Sequence, residues 1–134
     1  MSESTSITTF APAASDYTGK EGCIVNRAAV ASGKSRVALA SAASAQSFGV
    51  IEYVGYGALG QELRVCDGGK SFVLLGDGWT IGTTDPAFMS DANGAAIPAT
   101  AGSRYVGRLE LNELANLAAG NRVACIVAPA ELET

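Results

Sequence analysis

Turn signals rich in glycine divide this sequence into short segments, and they restrict its possible folds more than any other feature. They fall at Asp67-Gly68-Gly69, Gly76-Asp77-Gly78, Asp91-Ala92-Asn93-Gly94 and Gly120-Asn121. Asp-Gly and Asn-Gly pairs supply the positive φ angles that tight hairpins need. Short strands separated by such signals are typical of β-barrels and β-sandwiches. The sequence therefore predicts a compact all-β domain of the barrel or sandwich type.

The segments between the turns have β-type composition. Residues 62–65 alternate polar and apolar side chains, which is the period of a half-buried strand. Two stretches compete as helices: the Ala-rich residues 28–45, which Gly33 and several serines interrupt, and residues 111–119, which end at Gly120. The second stretch is predicted to be a short helix or an Ala-rich loop. The predicted strands are 23–25, 36–39, 48–54, 62–66, 71–75, 79–83, 105–111 and 122–127.

The two halves of the sequence resemble each other at an offset of 58 residues. The matched positions include Gly49/Gly107, Ile51/Leu109 and Glu52/Glu110, then, after two extra residues in the second copy, Leu63/Val123 and Val65/Cys125. A chain of 134 residues fits one compact domain, whereas two separate domains of about 60 residues would each be marginally stable. We predict one β-rich domain over 21–134, built from pseudo-repeats at approximately 21–70 and 71–129.

Residues 1–20 differ from the rest of the chain. They are rich in Ser and Thr, with apolar side chains at Ile7, Phe10 and Tyr17. Such a segment is typical of a floppy tail or of an arm that orders on a partner. We treat it as an extended N-terminal arm and predict that Thr5, Ile7, Phe10 and Tyr17 contact a partner.

Composition excludes several kinds of chemistry. The chain has no histidine, which removes Ser-His-Asp and Cys-His nucleophiles, a histidine general base and imidazole metal sites. Its net charge is -4 and its nine basic residues are scattered, whereas a nucleic-acid surface needs clustered Lys and Arg. We expect a protein that is not an enzyme, has no cofactor or metal, and binds no nucleic acid.

The cysteines and the uncharged segments further restrict the class of protein to which this chain can belong. Cys23, Cys66 and Cys125 form an odd, widely spaced set, so we expect buried free thiols and not a disulfide framework. The N-terminal residues lack the basic start of a secretory signal. The longest uncharged runs are too short to span a bilayer, so no membrane association is expected.

Three segments imitate phosphate-binding loops. Residues 55–60 match G-x-G-x-x-G, but the residues that follow alternate like a strand, where a dinucleotide site needs a helix. Gly33-Lys34-Ser35 and Gly69-Lys70-Ser71 resemble the end of a Walker A loop but lack its earlier glycine. We interpret 55–60 as a hairpin loop and the other two as turns.

Acidic and aromatic residues have simpler interpretations than a ligand site. Residues 91–94 lack the further ligands of a calcium loop, so a tight turn is predicted there. The repeat pairs Glu52 with Glu110, which we interpret as solvent-facing or ion-paired strand residues. The aromatic residues Tyr53, Tyr56, Trp79 and Tyr105 are predicted to lie in the core or at a subunit interface.

Several segments resemble one known family. They are Phe48–Glu52, Gly60–Val65, Ala99–Gly107 and Ala119–Val123, and the resemblance extends over roughly 17–129. In these segments the chain is similar to the small head decoration (capsid cement) proteins of tailed phages. The resemblance implies a β-barrel-like protein, often trimeric, that binds outside the head and clamps neighbouring capsid subunits. The binding residues of that family form no motif, so none is transferred to this sequence.

The resemblance leads to a functional expectation. It implies a structural virion protein on the outer capsid surface, made in the host cytoplasm, with the phage major capsid protein as partner and a homotrimer as its assembly. Two alternatives stay open: another phage structural or adhesion module of a tail or host-binding apparatus, and, more remotely, a nucleotide-binding protein using residues 55–60. The predicted capsid or inter-subunit contacts are Thr5, Ile7, Phe10, Tyr17, Tyr53 and Tyr56.

Overall fold

A computed structural model describes residues 6–12, 17, 19–31, 33–40, 47–55, 62–79, 87–99, 105–110 and 118–128. All regular secondary structure in these ranges is β, as the sequence predicts, and no helix there is long and apolar enough to cross a membrane. The strands are β1 (Ser6–Pro12), β2 (Ile24–Ala31), β3 (Lys34–Leu39), β4 (Ser47–Val54), β5 (Leu63–Leu74), β6 (Ala87–Ser90), β7 (Ala96–Pro98), β8 (Gly107–Leu109) and β9 (Arg122–Val127).

The first five strands close a barrel in the order β1-β3-β2-β4-β5, with β5 pairing back onto β1. The β1–β3 pair is parallel, and all other neighbours in the barrel are antiparallel. Its interior, here called the barrel core, consists of Phe10, Tyr17, Val25, Val37, Phe48, Ile51, Leu63 and Val65. Burial of these side chains is the main driving force for closing the barrel.

The second half of the chain repeats this pairing scheme. The C-terminal part of β5 pairs with β9, β9 with β8, β8 with β6, and β6 with β7. A parallel bridge between Leu75 and Ala96 joins β7 to the end of β5. Trp79 covers this narrow contact between β5 and β7. Its indole Nε1–H donates to the Ala96 carbonyl at 3.0 Å, and its ring packs on the neighbouring core.

Strand β5 belongs to both halves. Its N-terminal part is the last strand of the first half, and its C-terminal part takes the place in the second half that β1 takes in the first. The β6–β7 hairpin then corresponds to β2–β3, β8 to β4, and β9 to the N-terminal part of β5. Accordingly, Gly49 pairs with Val25 and Gly107 pairs with Phe88. The junction of the halves lies at Gly68–Gly69, close to the division near residue 70 that the sequence suggests.

Strands β9 and β1 lie end to end along one edge of β5. Val127 of β9 pairs with Gly69, and Ser6 of β1 pairs with the preceding residue, Gly68. Strand β4 occupies the opposite edge of β5. Together β9 and β1 therefore form one long interrupted strand antiparallel to the long strand β5, and the interruption lies opposite the junction of the two halves.

This arrangement predicts that a circular permutant folds. Joining Thr134 to Met1 and opening the chain between Gly68 and Gly69 moves the break from the β9–β1 strand to the equivalent point of β5. We expect circular dichroism like that of the parent and a cooperative unfolding transition. A matched permutant opened between Phe72 and Val73, inside a β5–β9 ladder, is expected not to fold. Equal behaviour of the two permutants would contradict the equivalence of the two halves.

The two halves also share buried surface. Strands β2, β4 and β5 are buried on both faces, since alternate residues point into different clusters. Val25, Ile51 and Val65 belong to the barrel core, whereas their neighbours belong to the core of the second half. Those neighbours are Ile24, Val50 and Cys66. The second half thus covers the outer face of the barrel at these residues of β2, β4 and β5, which makes the described chain one domain.

The structure corrects two sequence-based expectations. Residues 6–12 form strand β1 of the barrel, so the arm predicted over 1–20 does not lie outside the domain there. Residues 67–69 lie inside β5 and not in a hairpin turn; Asp67 is an extra residue in the β1–β5 ladder, and the Cys66 thiol donates to the Gly68 carbonyl at 3.3 Å. The strand predicted at 36–39 is confirmed within β3, and the described part of the Ala-rich stretch 28–45 belongs to β2 and β3, so the competing helix does not form there.

Candidate contact surface

Two large hydrophobic side chains are exposed in the described part of the chain, Ile7 at 41% and Tyr53 at 47%. Ile7 lies on β1 and Tyr53 on β4, the two strands that flank β5. Both side chains are on the outer side of the barrel. Tyr53 pairs with Arg64, and Arg64 pairs with Thr9 on the other side. We call the surface formed by Ile7, Thr9, Tyr53 and Arg64 the β1–β5–β4 face.

Arg64 lies at the centre of this face. Its guanidinium carbon is 5.2 Å from the centroid of the Tyr53 ring, and its Nη2 is 3.7 Å from Glu62 Oε1. The exposed ion pair contributes at most about 1 kcal/mol, and an exposed cation–π contact about 0.5–1 kcal/mol. Tyr and Arg are the side chains that most often concentrate binding energy at protein interfaces. The face therefore has the composition of a protein-binding surface.

A β-bulge orients Tyr53 outward. The register between β4 and β5 shifts between Ile51 and Tyr53, so that Glu52 is an extra residue on β4. Ile51 points into the barrel core, whereas Tyr53 stands on the surface. The face thus depends on the pairing of two strands and is not a property of a single segment.

Glu52 is half-buried and accepts a hydrogen bond from Ser71 Oγ at 2.8 Å. Its partner in the repeat, Glu110, is also half-buried, and its backbone N–H donates to the Ala124 carbonyl. Both carboxylates act electrostatically on Cys125. The sequence predicts solvent-facing or ion-paired strand residues at both positions; both are half-buried instead, and a neutral hydroxyl donates to Glu52.

All three cysteines are free and buried, as the sequence predicts. Burial is the main cause that raises the pKa of each thiol. For Cys125 burial raises the pKa to about 12, with smaller electrostatic contributions from Cys66, Glu110 and Glu52. Thiols held in the protonated form are poor nucleophiles, so these residues are structural.

The protonated Cys125 predicts a loss of stability at alkaline pH. Its pKa is 9.0 when unfolded and about 12 when folded, so its contribution is complete below pH 9 and is lost as the pH rises toward 12. The full difference corresponds to roughly 4 kcal/mol. We expect the denaturant-derived free energy of unfolding to fall more steeply between pH 9 and 11 in the parent protein than in Cys125→Val. Parallel curves for the two proteins would contradict this account.

The six predicted contact residues fall into three groups. Ile7 and Tyr53 lie on the β1–β5–β4 face, whereas Thr5 and Tyr56 lie outside the described residues. Phe10 and Tyr17 are buried, at 4% and 5% exposure, so predicting them as partner contacts was wrong. Phe10 packs edge-to-face on Phe48 with ring centroids 5.5 Å apart, and Tyr17 Oη donates to the Val37 carbonyl at 3.4 Å.

Sequence reasoning missed Arg64 as part of the surface. The alternation of residues 62–65 indicates that Arg64 points away from Leu63 and Val65, so the outward direction was available from the sequence. Its position between Tyr53 and Thr9 was not available, because the two flanking strands come from distant segments of the chain.

The phosphate-loop look-alikes lie in strand and hairpin contexts. Strands β4 and β5 are antiparallel, and the Gly55 N–H donates to the Glu62 carbonyl at 2.9 Å, as in the predicted hairpin; residues 56–61 lie outside the described part. Gly33 occupies the β2–β3 turn with φ of 71°, whereas Gly69-Lys70-Ser71 lies within β5 and not in a turn. Among the described residues no cluster of three Cys, Asp or Glu side chains is arranged to hold a metal ion.

Comparisons with models of protein families, with curated proteins and with solved structures find no match to this chain.

Proposed function

We propose that this protein is a structural virion protein that decorates the outer surface of a phage head and stabilises contacts between major capsid subunits. The observation that supports this proposal most directly is the β1–β5–β4 face, where the two exposed large hydrophobic side chains flank an arginine. The resemblance of the sequence to phage decoration proteins supplies the partner. An all-β domain of the kind that this resemblance implies is compatible with the role.

The size of the face indicates a weak contact for one copy. Full burial of a large apolar side chain contributes about 1.5–3 kcal/mol, and Ile7 and Tyr53 gain only part of this because 41% and 47% of their surface is still exposed in the free protein. We therefore propose a homotrimer, because three faces that engage together raise the apparent affinity by roughly 10²–10⁴ through avidity. A capsid lattice presents repeated sites that suit such multivalent binding.

The charge of the chain supports a place outside the head. A net charge of -4 is unfavourable beside packaged DNA and acceptable on the outer surface. The proposed location is the outer capsid surface of the virion, after synthesis in the bacterial cytoplasm. No nucleic acid, membrane or cofactor enters this function.

Co-sedimentation with purified, undecorated heads tests the function. We expect saturable binding of the parent protein, and an apparent affinity about tenfold lower for each of Tyr53→Ala and Arg64→Ala, the loss that corresponds to about 1.4 kcal/mol. The matched control is Asp77→Ala, an exposed residue that follows β5 and lies off the face. Its affinity should equal that of the parent.

The possible results of this experiment test the proposed function and the proposed contact surface separately. Failure of the parent protein to bind heads, with binding to tails or host cells instead, would favour an adhesion module. Binding of heads that Tyr53→Ala and Arg64→Ala leave unchanged would retain the function and reject the face. Sedimentation velocity of the free protein measures the proposed trimer independently of both.

A further inference from the structure

The turn between β6 and β7 contains the pair Asn93-Gly94. Asn93 is exposed, and its backbone N–H donates to Asp91 Oδ1 at 2.7 Å. The same carboxylate oxygen accepts from the Ala95 N–H at 2.9 Å. Among the described residues, no group accepts a hydrogen bond from the Gly94 N–H, which lies between these two. An exposed amide side chain thus precedes a backbone nitrogen that makes no hydrogen bond to the described chain.

The glycine after Asn93 distinguishes it from the other described asparagines. A side chain on the following residue hinders the approach of an asparagine side chain to the next backbone nitrogen, and glycine has no side chain. Gly94 has φ of 81°, which glycine adopts without strain. Asn26 and Asn121 each precede an arginine, and Asn26 Oδ1 accepts from Ser47 Oγ at 2.9 Å. Asn93 is therefore the described asparagine whose amide carbon is most accessible to the neighbouring backbone nitrogen.

Gly94 also joins the second half of the chain to the first. Its carbonyl oxygen accepts from the Ile24 N–H of β2 at 2.7 Å. A Cβ atom at Gly94 would lie 3.2 Å from the Ile24 carbonyl oxygen and 3.4 Å from Cys23 Cβ, so the backbone of the turn packs directly against two buried residues. A main chain of different length at this point would not keep that contact.

We propose that Asn93 is a site of spontaneous deamidation, and that its isoaspartate product releases the turn from β2. The Gly94 nitrogen attacks Asn93 Cγ and forms a C–N bond, its proton passes to the side-chain nitrogen, and that nitrogen leaves as ammonia. The cyclic succinimide that results is then hydrolysed by water, which adds a hydroxyl group to one carbonyl carbon and a proton to the ring nitrogen. The reaction consumes only water.

Hydrolysis gives two products with different effects on the turn. Opening at Cγ gives aspartate and leaves the main chain unchanged. Opening at the α-carbonyl carbon gives isoaspartate, whose main chain runs through Cβ and Cγ and is longer by one carbon atom. The extra atom lies between the Asn93 N–H that Asp91 holds and the Gly94 carbonyl that holds Ile24. The longer chain cannot satisfy both hydrogen bonds with unchanged geometry.

Mass spectrometry of the aged protein tests the site. The full chain is incubated in mildly alkaline buffer, which favours loss of the Gly94 N–H proton, and its peptides are examined for a mass gain of one dalton. We expect deamidation at Asn93 to be about tenfold faster than at Asn26 or Asn121, as for a barrier lower by about 1.4 kcal/mol. An isoaspartate methyltransferase should label the peptide that contains Asn93. The variant Asn93→Ser should lose both signals.

Amide exchange at Ile24 tests the release of the turn. The deamidated protein is separated from the parent by ion exchange, because it carries one more negative charge. The variant Asn93→Asp is the matched control, because it has the same charge and an unchanged main chain. We expect the Ile24 amide to exchange about tenfold faster in the fraction that contains isoaspartate than in Asn93→Asp, since the local opening of the turn costs less free energy.

Two results would reject the proposal. Deamidation at Asn93 no faster than at Asn121 would show that the folded turn protects the amide. Equal exchange of the Ile24 amide in the deamidated fraction and in Asn93→Asp would show that the contact with β2 survives the longer main chain. Both measurements use the free protein, so neither depends on the proposed binding to heads.

Discussion

Replacing Gly107 by alanine is expected to lower the free energy of unfolding by about 3 kcal/mol, the upper part of the range for overpacked sites. A Cβ atom at this position would overlap the Ile126 carbonyl oxygen on the adjacent strand β9. The obstacle is backbone and not the end of a flexible side chain, so the β8–β9 pair has to separate to accept the methyl group. Urea denaturation followed by far-UV circular dichroism measures the loss.

The equivalent glycine of the first half should behave alike. A Cβ at Gly49 would lie 2.5 Å from the Cys66 carbonyl oxygen, and Cys66 occupies in β5 the place that Ile126 occupies in β9. Gly68→Ala is the matched control, because a Cβ there meets only Ser6 Cβ at an ordinary 3.6 Å. We expect the Gly68 variant to stay within about 0.5 kcal/mol of the parent, as for an ordinary surface change.

Similar losses in the Gly49 and Gly107 variants would support the internal repeat at the level of packing. A Gly107→Ala protein as stable as the Gly68→Ala protein would contradict the close approach of β8 and β9. In the sequence these two glycines are only matched positions of an alignment. In the fold, the absence of a side chain at each glycine allows the backbone of the next strand to approach closely.

Turn signals predicted local structure well where the turn is made by its own residues. Asp91 closes the turn before β7, since its Oδ1 accepts from the backbone N–H groups of Asn93 and Ala95, and Gly94 has φ of 81°. The same kind of residues at 67–69 fail as a hairpin signal. There the pairing of β5 with β1, β4 and β9 keeps residues 67–69 within one strand, and Gly69 supplies a φ of 90° at the junction of the halves.

The identity of β1 could not be predicted from composition. A segment rich in Ser and Thr is equally suited to a solvated tail and to an exposed edge strand. The pairing of residues 6–10 with β5, more than 50 residues away in sequence, decides that this segment is an edge strand and not a tail. Loop closure over that distance depends on the burial of Phe10 and Tyr17, which no local pattern reveals.

The candidate surface was predictable only in part. Ile7 and Tyr53 were selected as contacts because they are apolar, and the structure places them on one face. Phe10 and Tyr17 were selected by the same criterion and lie in the barrel core. Apolar character alone does not separate a core side chain from an exposed one; the direction of each side chain depends on strand register and on the bulge at Glu52.

Phe10→Ala is expected to destabilise the protein by about 3–5 kcal/mol, as large-to-small changes of buried aromatic residues do. Phe10 is almost fully buried and packs on Phe48, and the Arg27 guanidinium lies 5.7 Å from the Phe10 ring centroid and 4.4 Å from that of Phe48. Removing the ring leaves a cavity in the barrel core and deprives Arg27 of one of its two aromatic contacts.

Ile7→Ala on the same strand is the matched control, because Ile7 is exposed and its truncation should cost less than about 1 kcal/mol. Urea denaturation of the two variants therefore distinguishes a barrel strand from an arm outside the domain. An arm predicts that both variants are as stable as the parent and that removal of residues 1–12 leaves a cooperative domain. A barrel strand predicts a large loss for Phe10→Ala alone and, for the truncated protein, an open barrel whose Phe48, Leu63 and Val65 are exposed to water.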